Sequence, residues 1–204
     1  GIGDRALGAN TTAGGNVGIG ADSMFANTTG GSNVALGADS LKANTTASNN
    51  TAVGKAALAA NTTGIHNTFV GHASGDAITT ASYNTGMGSG ALGANILSGA
   101  NVAVGQDALA NHNVASAANG FNIGIGTNAG AALTTGTVNT ILGGSCATSL
   151  TEGGGNVIIG YLTGVYGTAL TTGGTNTLVG SYTSATTADA TSAVGLGHSI
   201  TAAT

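Results

Sequence analysis

One phrase recurs along the chain with a period of about 17 residues. The phrase runs Asn, β-branched, small or apolar, aliphatic, Gly, and it starts at Asn16, Asn33, Asn50, Asn67, Asn84, Asn101, Asn122, Asn139, Asn156 and Asn176. Two steps are longer than the rest, from Asn101 to Asn122 and from Asn156 to Asn176. A degenerate eleventh copy is read at Thr191 to Gly195, after a shortened step from Asn176, and Ile2-Gly3 is the tail of an earlier one. A repeat of this length cannot bury a core alone, so such sequences fold as stacked arrays. Gly and β-branched residues at this density each cost about 0.5–1 kcal/mol in a helix relative to Ala. The expectation is therefore all-β, a parallel β-solenoid of about 11–12 coils with a ~17-residue period. Residues 1–204 form a single repetitive segment, read as part of a longer fibre. At ~4.8 Å per coil the rod would be about 55 Å long.

Strand residues alternate between faces, so the columns of the repeat assign sides. The fourth position is Ile19, Leu36, Val53, Val70, Met87, Val104, Ile125, Leu142 and Ile159 in successive phrases, always aliphatic, and is expected to fill the core. Three residues past the Gly stands a uniformly small column that includes Ser23, Ser40, Ala57, Ala91 and Cys146. The Asn-Thr-Thr phrase at Asn10, Asn27, Asn44 and Asn61 implies a second short strand per coil. The closing Gly suits a corner with positive φ, and the Asn suits a turn cap or an amide ladder along the axis.

The third position is apolar as well, and its Ala35, Ala52, Phe69, Ala103, Ile141, Ile158 and Leu178 would lie opposite the aliphatic column. A sheet with one face in water carries polar residues there. These seven residues are therefore expected to form a contact column with further copies of the chain, a homotrimer or a dimer.

Composition restricts the partners. Three basic and seven acidic residues give no clustered positive charge for nucleic acid or anionic lipid. Gly, Asn or Thr interrupts every apolar run before the ~18 residues of a spanning helix, so no membrane insertion is expected in this segment. Proline, which breaks ladders of central strands, is absent.

Phrases such as "NTAVGKAALAANTTG", "NVALGADSLKANTT" and "NVAVGQDAL" resemble the head repeats of YadA-like trimeric autotransporter adhesins and related repeats of bacteriophage tail fibres. The resemblance spans essentially the whole chain. It implies a left-handed β-roll, three chains around one axis, and an extracellular place on a virion tail fibre or a bacterial cell surface, attaching to a host. Adhesin heads more often repeat in about 14 residues, and the ~17-residue phrase with "ANTTG" is closer to the phage-fibre form.

No chemistry-bearing constellation competes with a structural role. Asp22, Asp39 and Asp107 recur in too few coils for a calcium β-roll. His66, His72, His112 and His198 lack metal-ligand spacing, and Cys146 has no base placed beside it. No cofactor, metal site or enzymatic activity is expected. Insertions in a solenoid map to surface loops, here near 111–121 and 161–170. His112, Asn113, Tyr161 and Tyr166 are accordingly the candidate contacts for a host receptor, glycan or protein. An alternative function is ice binding by the threonine columns, which break at Leu97-Ser98 and Val114-Ala115 and acquire Glu152.

Overall fold

The glycine that ends each phrase sits at φ of 125° at Gly20, 134° at Gly37 and 131° at Gly54, a region closed to other residues. A Cβ there would also strike the backbone of the equivalent glycine in the next coil. The chain turns at this point in every coil, and the coils stack through it. The computed structural model describes residues 1–114 and 118–203, and among these there is no helix. None is therefore long and apolar enough to cross a membrane.

Three-residue strands recur at Val17–Ile19, Val34–Leu36, Thr51–Val53, Thr68–Val70, Thr85–Met87, Val102–Val104, Ile123–Ile125, Thr140–Leu142, Val157–Ile159, Thr177–Val179 and Val194–Leu196. They form one 11-stranded parallel sheet in chain order. Each strand residue pairs with its equivalent one coil on, as Val34 with Thr51 and Ala35 with Ala52. The longer steps do not disturb this register, since Ala103 pairs with Gly124 and Ile158 with Leu178. The protein is a parallel β-solenoid.

The last phrase lies two residues later than its sequence pattern suggested. Thr177, Leu178 and Val179 pair with Val194, Gly195 and Leu196, so Ala193 stands where Asn does elsewhere and Gly197 is the corner. This restores the regular step, with the Ala193 amide bound to Asn176 Oδ1 at 2.9 Å.

The second strand per coil does not form. The Asn-Thr-Thr segments are bends, yet they still bond coil to coil: the Thr28 amide donates to the Thr45 carbonyl at 2.9 Å and Thr28 Oγ1 to the same oxygen at 3.0 Å. Among the described residues only Ser184–Ala185 and Thr201–Ala202 make a second, two-stranded sheet. Between corner and bend the backbone alternates. Asp22, Met24 and Ala26 donate to neighbouring coils, and Ser23, Phe25 and Asn27 donate three residues back. That alternation requires left-handed residues at fixed places, such as Asp22 and Met24, Asp39 and Leu41, and Ala56 and Leu58. Each costs about 1–2 kcal/mol in a non-glycine residue, and the coil-to-coil bonds hold it there.

The two faces of the strand are the reverse of the sequence expectation. The third position points inward: Ala35, Ala52, Phe69, Ala103, Ile141, Ile158 and Leu178 are all fully buried within the chain. The fourth position, with Leu36, Met87 and Ile125 exposed, points outward together with the second. The size of the inward residue follows the residue six positions later, at the end of the corner. Ala35 and Ala52 accompany buried Leu41 and Leu58, whereas Phe69, Ile141 and Ile158 accompany Gly75, Ala147 and Gly164. Phe69 lies where a Cβ at Gly75 or Gly86 would be. The growth of the third position toward the C-terminus thus compensates for lost leucines inside one narrow core.

The residue before each Asn is left-handed too, and at Val138 it is β-branched, with φ 61° and 58% of its surface exposed. Val138→Gly should relieve that strain and raise stability by about 0.5–1 kcal/mol, because the gain exceeds the entropy glycine loses on folding. The urea midpoint would read it, and a lower midpoint would contradict the strain argument.

Candidate functional site

The receptor candidates divide into buried and exposed residues. His112 is fully buried. It stands one period after Asn95, in the interior column that also holds Asn27, Asn44 and Asn61, and the insertion begins only after it. Its Nε2 lies 3.1 Å from Ser98 Oγ and accepts from Asn122 Nδ2 at 3.3 Å. Burial pushes its pKa down to about 4, against the Thr134 backbone, which favours the charged form. His112 is therefore a packing residue, and the expectation of an exposed contact is corrected. Asn113 is half-buried, its amide donating to Thr134 O at 2.8 Å and its Oδ1 accepting from the Ile96 amide at 3.2 Å. Of the 111–121 insertion, residues 115–117 lie outside the described residues, and so does Ala115 of the interrupted threonine column.

Tyr161 and Tyr166 are exposed, at 51% and 59%. They meet a ring that the sequence reading passed over. Tyr182 packs edge-on against Tyr161 at 5.8 Å between centroids, Tyr166 at 5.1 Å and His198 at 5.6 Å. Register explains the meeting: Tyr161, Ser181 and His198 each follow a corner glycine, and Tyr182 is the next residue along. The three additional residues of 161–170 carry Tyr166 out of the regular coil to join them. A smaller stack, His66 over Tyr83 at 5.2 Å and 12°, lies in the outward column before the Asn.

The seven residues proposed as a contact column are closed to a partner, being the chain's own core. The surface that could meet another chain is the other face of the same strands. It carries Val17, Val34, Val102, Ile123, Val157 and Val194 at the second position and the aliphatic residues at the fourth. Only Thr51, Thr68, Thr85, Thr140 and Thr177 bring a polar atom to it. No charged residue lies on it. Sheets exposed to water carry polar outward residues, and this face, aliphatic or threonine in all eleven strands, departs from that pattern.

The remaining polar groups read as structural. Arg5 Nη2 pairs with Asp22 Oδ2 at 2.6 Å, and Lys42 bridges Asp22 at 3.2 Å and Asp39 at 2.8 Å along one corner. Cys146 is buried, donating to Ile158 O at 3.3 Å, and burial pushes its thiol up to about 12, which disfavours the thiolate. Among the described residues no three His, Cys, Asp or Glu side chains converge to hold a metal ion. Hydroxyls of Thr28, Thr62, Thr134 and Thr171 donate to carbonyls of the next coil, while Thr29, Thr46 and Thr63 face outward. Comparison with protein-family models, with curated proteins and with solved structures finds no match.

The buried histidine gives a pH signature. Unfolded, His112 titrates near its usual ~6.5; folded, near about 4. Between these values the unfolded state binds the proton first. As pH falls from about 6.5 toward 4, stability should drop by up to about 1.4 kcal/mol per pH unit on this group's account. His112→Asn, which restores the residue type of its column, should flatten that slope in urea unfolding measured from pH 7 to 4. An unchanged slope would show that His112 is not the titrating group.

Proposed function

We propose that this chain is a structural and adhesive segment of a homotrimeric surface fibre that takes part in attachment to a host. A phage tail fibre is the favoured setting and a cell-surface adhesin head the alternative, and both place it outside the cell. The observation that carries the reading is the outward face of the 11-stranded sheet, aliphatic or threonine in every coil and without a charge. Ten steps of ~4.8 Å make it about 48 Å long, while three-residue strands keep it about 10 Å wide. A partner for so long and narrow a strip must share its coil spacing along the whole length, and another copy of the chain does so. Three such strips closing on one axis bury every one of them without leaving a flank in water, as the resemblance to trimeric head repeats also implies. The coil number then sets the reach of the fibre, and contacts with a host fall to residues outside the strip. Ice binding draws less support, because Thr28, Thr62 and Thr134 spend their hydroxyls on backbone carbonyls and the outward column of Thr29, Thr46 and Thr63 breaks at Leu97 and Glu152.

Light scattering on the purified chain tests the reading: the expected mass is three times 19.0 kDa. Leu36→Asp with Ile125→Asp places charges on the outward strip only, and should give a folded monomer with an unchanged far-ultraviolet spectrum. A wild-type monomer at micromolar concentration, or a trimer indifferent to both charges, would contradict it.

A further inference from the structure

We propose that Tyr161, Tyr166, Tyr182 and His198 form a ledge that binds an uncharged glycan. This names the ligand class for the attachment role proposed above and rests on that reading.

Aromatic residues are scarce in this chain, which has four Tyr, three Phe and no Trp. Three of the four tyrosines nevertheless gather in one cluster, with centroids 5.1 to 5.8 Å apart. The arrangement is not a packing accident of the core. Tyr161 and Tyr166 keep more than half of their surface exposed, and His198 is exposed beside them. Nor does the repeat require it. The corner positions that hold Tyr161 and Tyr182 here are Ala21 and Asp22, or Ala38 and Asp39, in earlier coils. The three residues added in 161–170 supply the third tyrosine. None of its residues occupies the second or fourth strand positions assigned to self-association.

The surface chemistry selects the ligand. Edge-on packing against Tyr182 holds the rings in fixed orientations, so little side-chain freedom remains to be lost on binding. Tyrosine offers an apolar ring with a hydroxyl at its rim, and Ser181 and Ser199 flank the cluster in sequence. A pyranose has the matching character, with C–H faces to lie on the rings and a rim of hydroxyls to exchange hydrogen bonds. Electrostatics narrows the class further. All three cations of the chain, Arg5, Lys42 and Lys55, lie in its N-terminal third, and from Tyr161 onward the only formally charged side chain is Asp189. An anionic glycan would meet no lysine or arginine here. An open ledge binds weakly, and three copies on one fibre would raise the avidity.

Tyrosine emission reports binding directly, because no tryptophan masks it. The full chain is titrated with cellohexaose, maltohexaose and chitohexaose as neutral probes and with hexagalacturonate as the anionic one, with light scattering on the same samples. A saturable change with at least one neutral probe is expected, weakened about tenfold by Tyr166→Ala and by Tyr161→Ala and unaffected by Tyr83→Ala. Tyr166 lies in the inserted loop and Tyr161 on the surface, so both variants should keep the wild-type mass and far-ultraviolet spectrum. Absence of saturation with every neutral probe, binding that survives both substitutions, equal loss in Tyr83→Ala, or preference for hexagalacturonate would each overturn the proposal. Any of these results with the trimer intact would leave the fibre reading standing, whereas a monomer that still binds would separate the two the other way.

Discussion

The coils from Asn33 to Asn176 are each tied together by one buried asparagine at the start of the strand. Asn50 Oδ1 accepts the amide of Asn67 in the next coil at 2.9 Å, and Asn50 Nδ2 crosses the interior to Gly64 O at 2.8 Å. The same pair of bonds recurs at Asn33, Asn67, Asn84, Asn122 and Asn139, each fully buried. One side chain thereby satisfies an amide of the following coil and a carbonyl of the opposite wall, in an interior too narrow for a second layer. A buried amide or carbonyl without a partner costs about 1–3 kcal/mol, and an aliphatic residue in place of Asn67, Asn122 or Asn139 would strand two, whereas at Asn50 the Gly64 carbonyl would keep Asn61 Nδ2 as its donor. A second column supports the first. Asn44 Nδ2 donates to Asn27 Oδ1 at 2.8 Å and to Ala47 O at 3.0 Å, but from Ile78 onward this column turns largely to Ile and Leu. The first column does not yield in the same way until Ala193. The strand, the corner glycine and the bend take their places around it.

The period, the parallel stacking and the corner glycines were legible in the sequence, because each is a constraint repeated in every coil, while the asparagine's place was legible and its role stayed open between a turn cap and a ladder. The side each strand residue faces was not. Both faces are apolar, so alternation alone could not tell inside from outside. The more aliphatic column looked like the core, yet it covers the outside. The deciding sign was present in the pairing of Phe69 with Gly75 and of Ile158 with Gly164, where one residue fills the space the other vacates. Seeing it requires knowing that the third strand position and the end of the corner face each other across the interior. His112 was misplaced for a related reason. Counting one period from Asn95 puts it in the ladder column, ahead of the insertion, but the broken spacing drew it into the loop. Tyr182 and His198 gave no signal of their own, since their partnership with Tyr161 exists only through the stacking of coils.

Inside and outside therefore carry different kinds of information. The interior repeats because the backbone bonds it satisfies repeat, and its substitutions trade volume within the coil. The outward strand face repeats as well, in a way that the fold of one chain does not demand, which is why self-association is read from it. The aromatic ledge repeats nowhere, and so stands apart from both.

The claim that the first asparagine column carries the fold is tested most directly by comparing Asn67→Leu with Asn61→Leu in urea unfolding. Both residues are fully buried and replaced by the same side chain. Asn61 is the last of its run, with its Oδ1 already unpartnered and Ile78 in the next coil. Asn67→Leu strands the Asn84 amide and deprives the Ala81 carbonyl of its donor. The expected result is a loss of about 2–6 kcal/mol, or failure to fold, for Asn67→Leu, and a much smaller loss for Asn61→Leu. Equal losses, or a tolerated Asn67→Leu, would contradict the account.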